Sequence, residues 1–254
     1  ALPISYLFQG EDGRIIFTIP YLNDFTLIGT TGLDYEGDLS KVTISEEEID
    51  YLCQMASDYL SEPVNKSQIV ESFAGVRPLY NDGATLAKEA TRDYVLKLDD
   101  LGAPLLNIIG GKITTYRVLA EKVMEELEPF LPQMKAPWTE TAPLPGGNFK
   151  VSEYGLYEDK LKSEHLFLDS ELCERLMGSY GLDAWKMLKN VKSVTDMGQH
   201  FGAGLYEVEV LYLIKNEWVS SIDDILKRRT KLYLRLNKDQ RGALIHWLSS
   251  LTIN

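Results

Sequence analysis

The segment Ala103–Arg117, APLLNIIGGKITTYR, constrains this chain more than any other. Leu105, Leu106, Ile108 and Ile109 predict a short strand buried on both faces. Gly110 and Gly111 follow, and without a Cβ they let the backbone turn sharply and come close to a ligand. Thr114 or Thr115 is then placed to cap a helix, whose free N–H groups attract an anion or a polarised carbonyl. Lys112 adds a cation at the rim of the corner. The string Gly111-Lys112-Ile113-Thr114 is no P-loop. Leu106 stands where the first glycine belongs, and neither Ser nor Thr follows the lysine directly. A purely structural strand–turn–helix corner is the competing reading, so the decision rests on what surrounds it.

The surroundings are specific. Asp12–Gly32 reads DGRIIFTIPYLNDFTLIGTTG, Ser72–Leu79 reads SFAGVRPL and Ala90–Leu96 reads ATRDYVL, all ahead of GGKITTYR. Farther on come Asn216–Val219 (NEWV) and Asp223–Lys231 (DDILKRRTK). In this order and spacing they resemble the FAD-dependent, aerobic-type glycerol-3-phosphate dehydrogenases of bacteria, over essentially the whole chain. Such enzymes open with a βαβ unit whose Gly-x-Gly-x-x-Gly turn holds the FAD pyrophosphate. No such turn is found here. The nearest string, Gly202-Ala203-Gly204, follows no convincing strand. With Ala1 as first residue, the resemblance implies the C-terminal portion of a longer enzyme, inactive as a piece, with FAD held mainly elsewhere. Family members commonly carry an acid where Gly32 stands, so any contact made by that acid is in doubt.

The resemblance implies a set of site residues. Arg77 and Lys112 are carried over as catalytic, and Arg77, Arg92 and Lys112 as substrate-binding. Gly110, Gly111, Lys112, Ile113, Thr114 and Thr115 would face the flavin. Two forked guanidinium groups and a point charge suit a phosphate monoester. Pro78 stiffens the backbone directly after Arg77. The alternative for each arginine is an ordinary ion pair, with Glu71 and Asp93 as candidates. The implied reaction takes a hydride from C2 of sn-glycerol 3-phosphate onto the flavin, giving dihydroxyacetone phosphate, and a helix N-terminus at the flavin edge would stabilise the developing charge. His165, His200 and His246 all lie in the C-terminal part, so no base is evident here. The base falls outside the chain, unless Arg77 and Lys112 lower the pKa of the substrate hydroxyl.

Charge and composition narrow the partners. A formal net charge of −12 excludes general nucleic-acid binding, which needs basic surface. Arg228, Arg229 and Lys231 form the one dense basic cluster. It reads as a solvated helix face, with a membrane-surface or interdomain role as the sharper alternative. Cys53 and Cys173 sit in apolar helical patterns as buried thiols, which points to a reducing, cytoplasmic setting, at most peripheral to the inner membrane. No apolar run approaches the roughly eighteen residues of a membrane span. His, Asp and Cys spacing suggests no metal site. The implied partners are glycerol 3-phosphate, a quinone acceptor, a second copy in a homodimer and a peripheral membrane contact of the full-length enzyme. Three alternatives stay open: the oxygen-using glycerol-3-phosphate oxidase, a non-catalytic binding domain, and a wider amine or hydroxy-acid oxidase.

The expected fold is α/β (α+β), with a mixed or antiparallel sheet. Residues 1–131 would form a substrate cap with part of a flavin-binding region, 132–148 a Pro/Gly-rich linker, and 149–254 an all-helical domain. Arg14–Tyr21 and Phe25–Thr31 predict a hairpin around Asn23-Asp24. Ser45 and Glu48 form a capping box for a helix running to about Ser61, with Ile44 stapled onto Ile49. Ser67–Leu79 and Asp93–Leu98 predict further strands, joined by a loop containing Asn81-Asp82-Gly83. A helix from about Thr114 turns Tyr116, Leu119, Ala120, Val123 and Leu127 inward and stops near Pro129. Later helices are expected at Ser170–Ser179, Ala184–Val191, Leu205–Asn216, Ser221–Leu236 and Lys238–Ser250, with Asp169, Ser221 and Asn237 as caps.

Overall fold

A computed structural model describes residues 4–80 and 93–251. It divides into two compact units, Ala1–Glu140 and Thr141–Asn254. All strand pairing among the described residues is antiparallel.

The first unit opens with a three-stranded sheet of β1 (Tyr6–Gln9), β2 (Ile15–Tyr21) and β3 (Phe25–Gly29), with β2 in the centre. The expected hairpin is present, with Tyr21 opposite Phe25 and a turn in which Leu22 and Asn23 take positive φ. The sequence reading missed β1, whose Phe8 pairs with Ile16. Ser45 caps α1 (Glu46–Ser57), which packs on one face of the sheet and encloses a small core of Ile16, Met55 and Ala56. Apolar residues on the other face stay exposed, among them Leu7, Ile15, Phe17 and Ile19. A sheet with apolar residues on both faces needs a second covering layer, and the described part of this unit supplies only one.

Several expectations fail in the first unit. Ser67–Leu79 is no strand: a 3-10 turn at Lys66–Gln68 leads into irregular, exposed chain that finds no partner strand among the described residues. The loop containing Asn81-Asp82-Gly83 lies outside the described residues. The apolar strand is present as β5 (Leu105–Gly110), paired among the described residues only with β4 (Tyr94–Asp99). It is not buried on both faces, because a two-stranded ribbon shields little, and Leu105 and Ile108 remain exposed. Helix α2 (Tyr116–Leu127) half-buries Leu119, Val123 and Leu127, whereas Tyr116 and Ala120 face outward. Cys53 is half-buried rather than buried, on the flank of α1.

The second unit carries most of the core. α3 (Tyr154–Glu164), missed in the sequence, packs with α4 (Ser170–Tyr180) and the short α5 (Asp183–Met187) around Leu161, Cys173, Leu176 and Met177. Asp169 caps α4 by accepting from the Leu172 N–H at 2.7 Å. α5 is shorter than the expected Ala184–Val191. A second cluster, including Phe201, Leu213, Ile225 and Leu244, is enclosed by α6 (Glu207–Asn216) and α7 (Lys238–Ser250). Asn237 and Gln240 make the expected capping box for α7.

Two features depart from an all-helical reading. Gly202-Ala203-Gly204 is the turn of a ribbon between β6 (His200–Gly202) and β7 (Leu205–Tyr206). Ser221–Leu236 is not one helix but a π-helical stretch, Asp224–Arg229, and a 3-10 turn, Leu232–Leu234, broken where Lys231 takes φ +57. The side chains of this stretch secure the break. The Asp224 carboxylate accepts from the Ser220 and Ser221 N–H and hydroxyl groups, and Lys231 donates to the Arg228 and Arg229 carbonyls. The basic cluster therefore closes a helix end: Arg228 pairs with Asp224, and Arg229 donates twice to the Glu217 carbonyl. His246 is exposed on α7, and His200 stacks on Tyr206.

Candidate active site

The first unit brings two of the singled-out segments together at Gly110. A Cβ built there would lie 3.0 Å from the Asp93 carbonyl oxygen and 3.7 Å from that of Pro78. With φ +75 at Gly110 and +101 at Gly111, the corner takes a path that a side chain would resist. Glycine at position 110 thus lets the chain after Arg77 press against the corner that carries Lys112.

Beyond the glycines the backbone makes a 3-10 turn, Ile113–Thr115, before α2. Neither threonine caps the helix with its side chain. Thr115 Oγ1 instead donates to the Lys112 carbonyl at 3.0 Å, and Thr114 points to solvent. The N–H groups of Ile113 and Thr114 find no acceptor among the described residues, and the Ile113 side chain is 88% exposed. Two unengaged donors beside an exposed aliphatic residue fit the polar edge and apolar face of a flat ring system.

Lys112 Nζ sits 3.1 Å from Asp93 Oδ1, with both side chains well exposed. Such a pair is worth little in water, so an incoming anion can recruit the lysine cheaply. Arg77 is exposed, and among the described residues it makes no hydrogen bond or ion pair. The pairing with Glu71 considered as an alternative is therefore not formed. Arg92 lies outside the described residues.

Arg77 also lines a cleft of about 1300 Å³ between β2, β3, the loop after β3, α1 and the segment 68–79. Phe17, Ile19, Leu27 and Phe73 give it apolar walls, and Asp34, Glu36, Glu48 and Glu71 contribute carboxylates. Among the described lining residues Arg77 is the one cation. Lys112 is not among the residues that line this cleft. Glu48 was read from the sequence only as a helix cap. Its carboxylate also accepts from the Thr31 hydroxyl, a contact with no signal in sequence spacing. No group of three or more His, Cys, Asp or Glu among the described residues could hold a metal ion, and no described helix is long and apolar enough to cross a membrane.

Two family models match the chain in sequence. One describes an FAD dependent oxidoreductase and covers residues 1–117; the other describes the C-terminal domain of alpha-glycerophosphate oxidase and covers residues 137–246. A glycerol-3-phosphate dehydrogenase of Pseudomonas aeruginosa is 45% identical over 248 residues, 97% of this chain and 48% of that protein. Over nearly its whole length the chain is similar to the FAD-dependent glycerol-3-phosphate dehydrogenases. A D-erythritol 1-phosphate dehydrogenase of Brucella abortus is 40% identical over 98% of this chain and 50% of its own length. The solved glycerol-3-phosphate dehydrogenase of Bacillus halodurans, complexed with FAD, matches 98% of this chain and 49% of that one, with TM-score 0.79 and 25% identity. The chain spans about half the length of the curated relatives it matches.

Proposed function

We propose that this chain supplies the substrate-side sheet, the flavin-facing corner and the helical tail of an enzyme that oxidises sn-glycerol 3-phosphate to dihydroxyacetone phosphate, with quinone as final acceptor. One observation carries the reading: at Gly110 the chain following Arg77 meets the Gly-Gly-Lys corner. Arg77 offers a forked, permanently charged donor set matched to phosphate oxygens. Lys112, released from Asp93, adds a point charge, and Arg92 is assigned to the same anion. FAD, when bound, supplies the acceptor for the hydride from C2. The Ile113 and Thr114 N–H groups, which find no acceptor among the described residues, would donate to the edge of that ring where negative charge accumulates. The positive charges of Arg77 and Lys112 also favour loss of the C2 hydroxyl proton.

A four-carbon polyol phosphate is the second substrate this reading accommodates, because the D-erythritol 1-phosphate dehydrogenase is nearly as similar as the glycerol-3-phosphate enzymes. The test is flavin bleaching under anaerobic conditions, in a protein of the relatives' full length, on adding each polyol phosphate. Bleaching by glycerol 3-phosphate, with electrons recovered on a soluble quinone, supports the proposal. A preparation that neither holds FAD nor bleaches leaves the non-catalytic binding domain as the better reading.

A further inference from the structure

The chain between β3 and α1, residues 30–44, contains only a single 3-10 turn, Leu39–Lys41. Its hydrogen bonds are nearly all internal. The Tyr35 hydroxyl donates to the Asp38 carbonyl, and Asp38 accepts from Ser40 through its side chain and from the Lys41 N–H through its carbonyl. Among the described residues a single hydrogen bond ties this loop to the rest of the unit: Thr31 Oγ1 donates to Glu48 Oε1 at 2.5 Å. The other oxygen of Glu48 accepts from the Ser45 N–H at 3.0 Å, closing the capping box of α1. The carboxylate thereby accepts one hydrogen bond at each oxygen. It is held below its ordinary pKa range first by the Thr31 hydroxyl and then by the Ser45 N–H.

The tethered end of this loop, residues 30–36, forms one wall of the cleft that Arg77 lines. Glu48 lines the cleft too, yet its negative charge repels a phosphate and its two oxygens are already held by Thr31 and Ser45. Its position suits another task. We propose that Glu48 is a positioning residue: through Thr31 it fixes the 30–36 wall of the cleft and so sets how tightly the substrate binds, without taking part in the chemical step. The proposal rests on the polyol-phosphate reading above. A loop held near its start loses little further freedom when ligand arrives, whereas an untethered one must be ordered by the ligand, at a cost in affinity.

Thr31→Val separates the tether from the helix cap, because it removes the hydroxyl and leaves Ser45 and Glu48 intact. In the full-length flavoprotein, Thr31→Val should raise KM for glycerol 3-phosphate about five- to twentyfold with kcat within about twofold of wild type. Amide exchange across residues 30–36 should quicken, and Thr31→Ser should restore both. A Thr31→Val enzyme with wild-type KM and unchanged exchange overturns the proposal. So does a loss confined to kcat, or one that serine fails to rescue. Wild-type flavin that no polyol phosphate bleaches removes the functional reading first and this proposal with it.

Discussion

The Arg175 guanidinium grips the Glu209 carboxylate with both terminal nitrogens, at 2.7 and 2.6 Å, while the Tyr180 hydroxyl donates to the same carboxylate at 2.7 Å. Glu209 is 2% exposed, and Tyr180 packs against both core clusters of the second unit. Arg175 also donates to the Gly204 carbonyl, so one side chain joins α4, the β6–β7 ribbon and α6.

Removing one member of this set strands a buried charge. Arg175→Met should destabilise the second unit by about 3–5 kcal/mol. Arg175→Met with Glu209→Leu should recover much of that loss, because the orphaned carboxylate goes with it. Denaturant midpoints of the two variants check this, and equal losses would show that shape rather than charge is what the site needs.

Two tyrosines make the second unit sensitive to alkali. Burial, and then the hydrogen bond to Asp183, pushes Tyr212 up to about 12; burial and the Glu209 charge push Tyr180 up as well. The folded state therefore keeps protons that the unfolded chain releases near the ordinary tyrosine value of about 10. The stability these groups contribute is complete below pH of about 10 and declines as pH climbs towards 12. Melting temperature followed through this window should drop steeply for wild type and more gently for Tyr212→Phe.

Arg77→Lys keeps the charge and loses the fork. If Arg77 grips the phosphate, kcat/KM for glycerol 3-phosphate in the full-length enzyme should fall at least about tenfold while the flavin spectrum holds. Near-normal turnover would take Arg77 out of the site, and the substrate assignment would weaken with it.

Trypsin should cut first after Lys135. Residues 131–150 contain no helix or strand, and Lys135 is exposed. The far end of the stretch is held: the Leu182 N–H donates to the Gly146 carbonyl at 2.8 Å, and Phe149 packs beside the Tyr154 and Tyr157 rings. Mass spectrometry of the first fragments decides. An initial cut among Lys227, Arg228 and Arg229 would mean the π-helical stretch opens before the junction does.

What the sequence made legible was local. Ser45–Glu48 and Asn237–Gln240 act within one helical turn, so spacing alone identifies both capping boxes. The hairpin of β2 and β3 is likewise local. Ser67–Leu79 misled because apolar residues suggest a strand, yet a strand exists only where a partner offers hydrogen bonds. β5 misled for a related reason: its pattern demands cover on both faces, and the described chain provides one neighbouring strand. The break in Ser221–Leu236 escaped because its cause is a set of contacts from Asp224 and Lys231 to the backbone, which helical periodicity does not encode. The approach of the Pro78 and Asp93 carbonyls to Gly110 depends on packing between distant segments, and only the resemblance to a family hinted that these segments belong together.

The ribbon turn at Gly202-Ala203-Gly204 shows what a glycine pair can be for. All three residues have positive φ, and a Cβ on Gly202 would run into the Gln240 side chain on α7. The missing side chains are replaced by the protein's own atoms, so no hollow is left for a pyrophosphate to fill. Ala203, at φ +48, is the member of the trio for which this backbone is strained. In a dinucleotide fingerprint a bare glycine lets the backbone approach the pyrophosphate; at Gly202 the Gln240 side chain already fills that space.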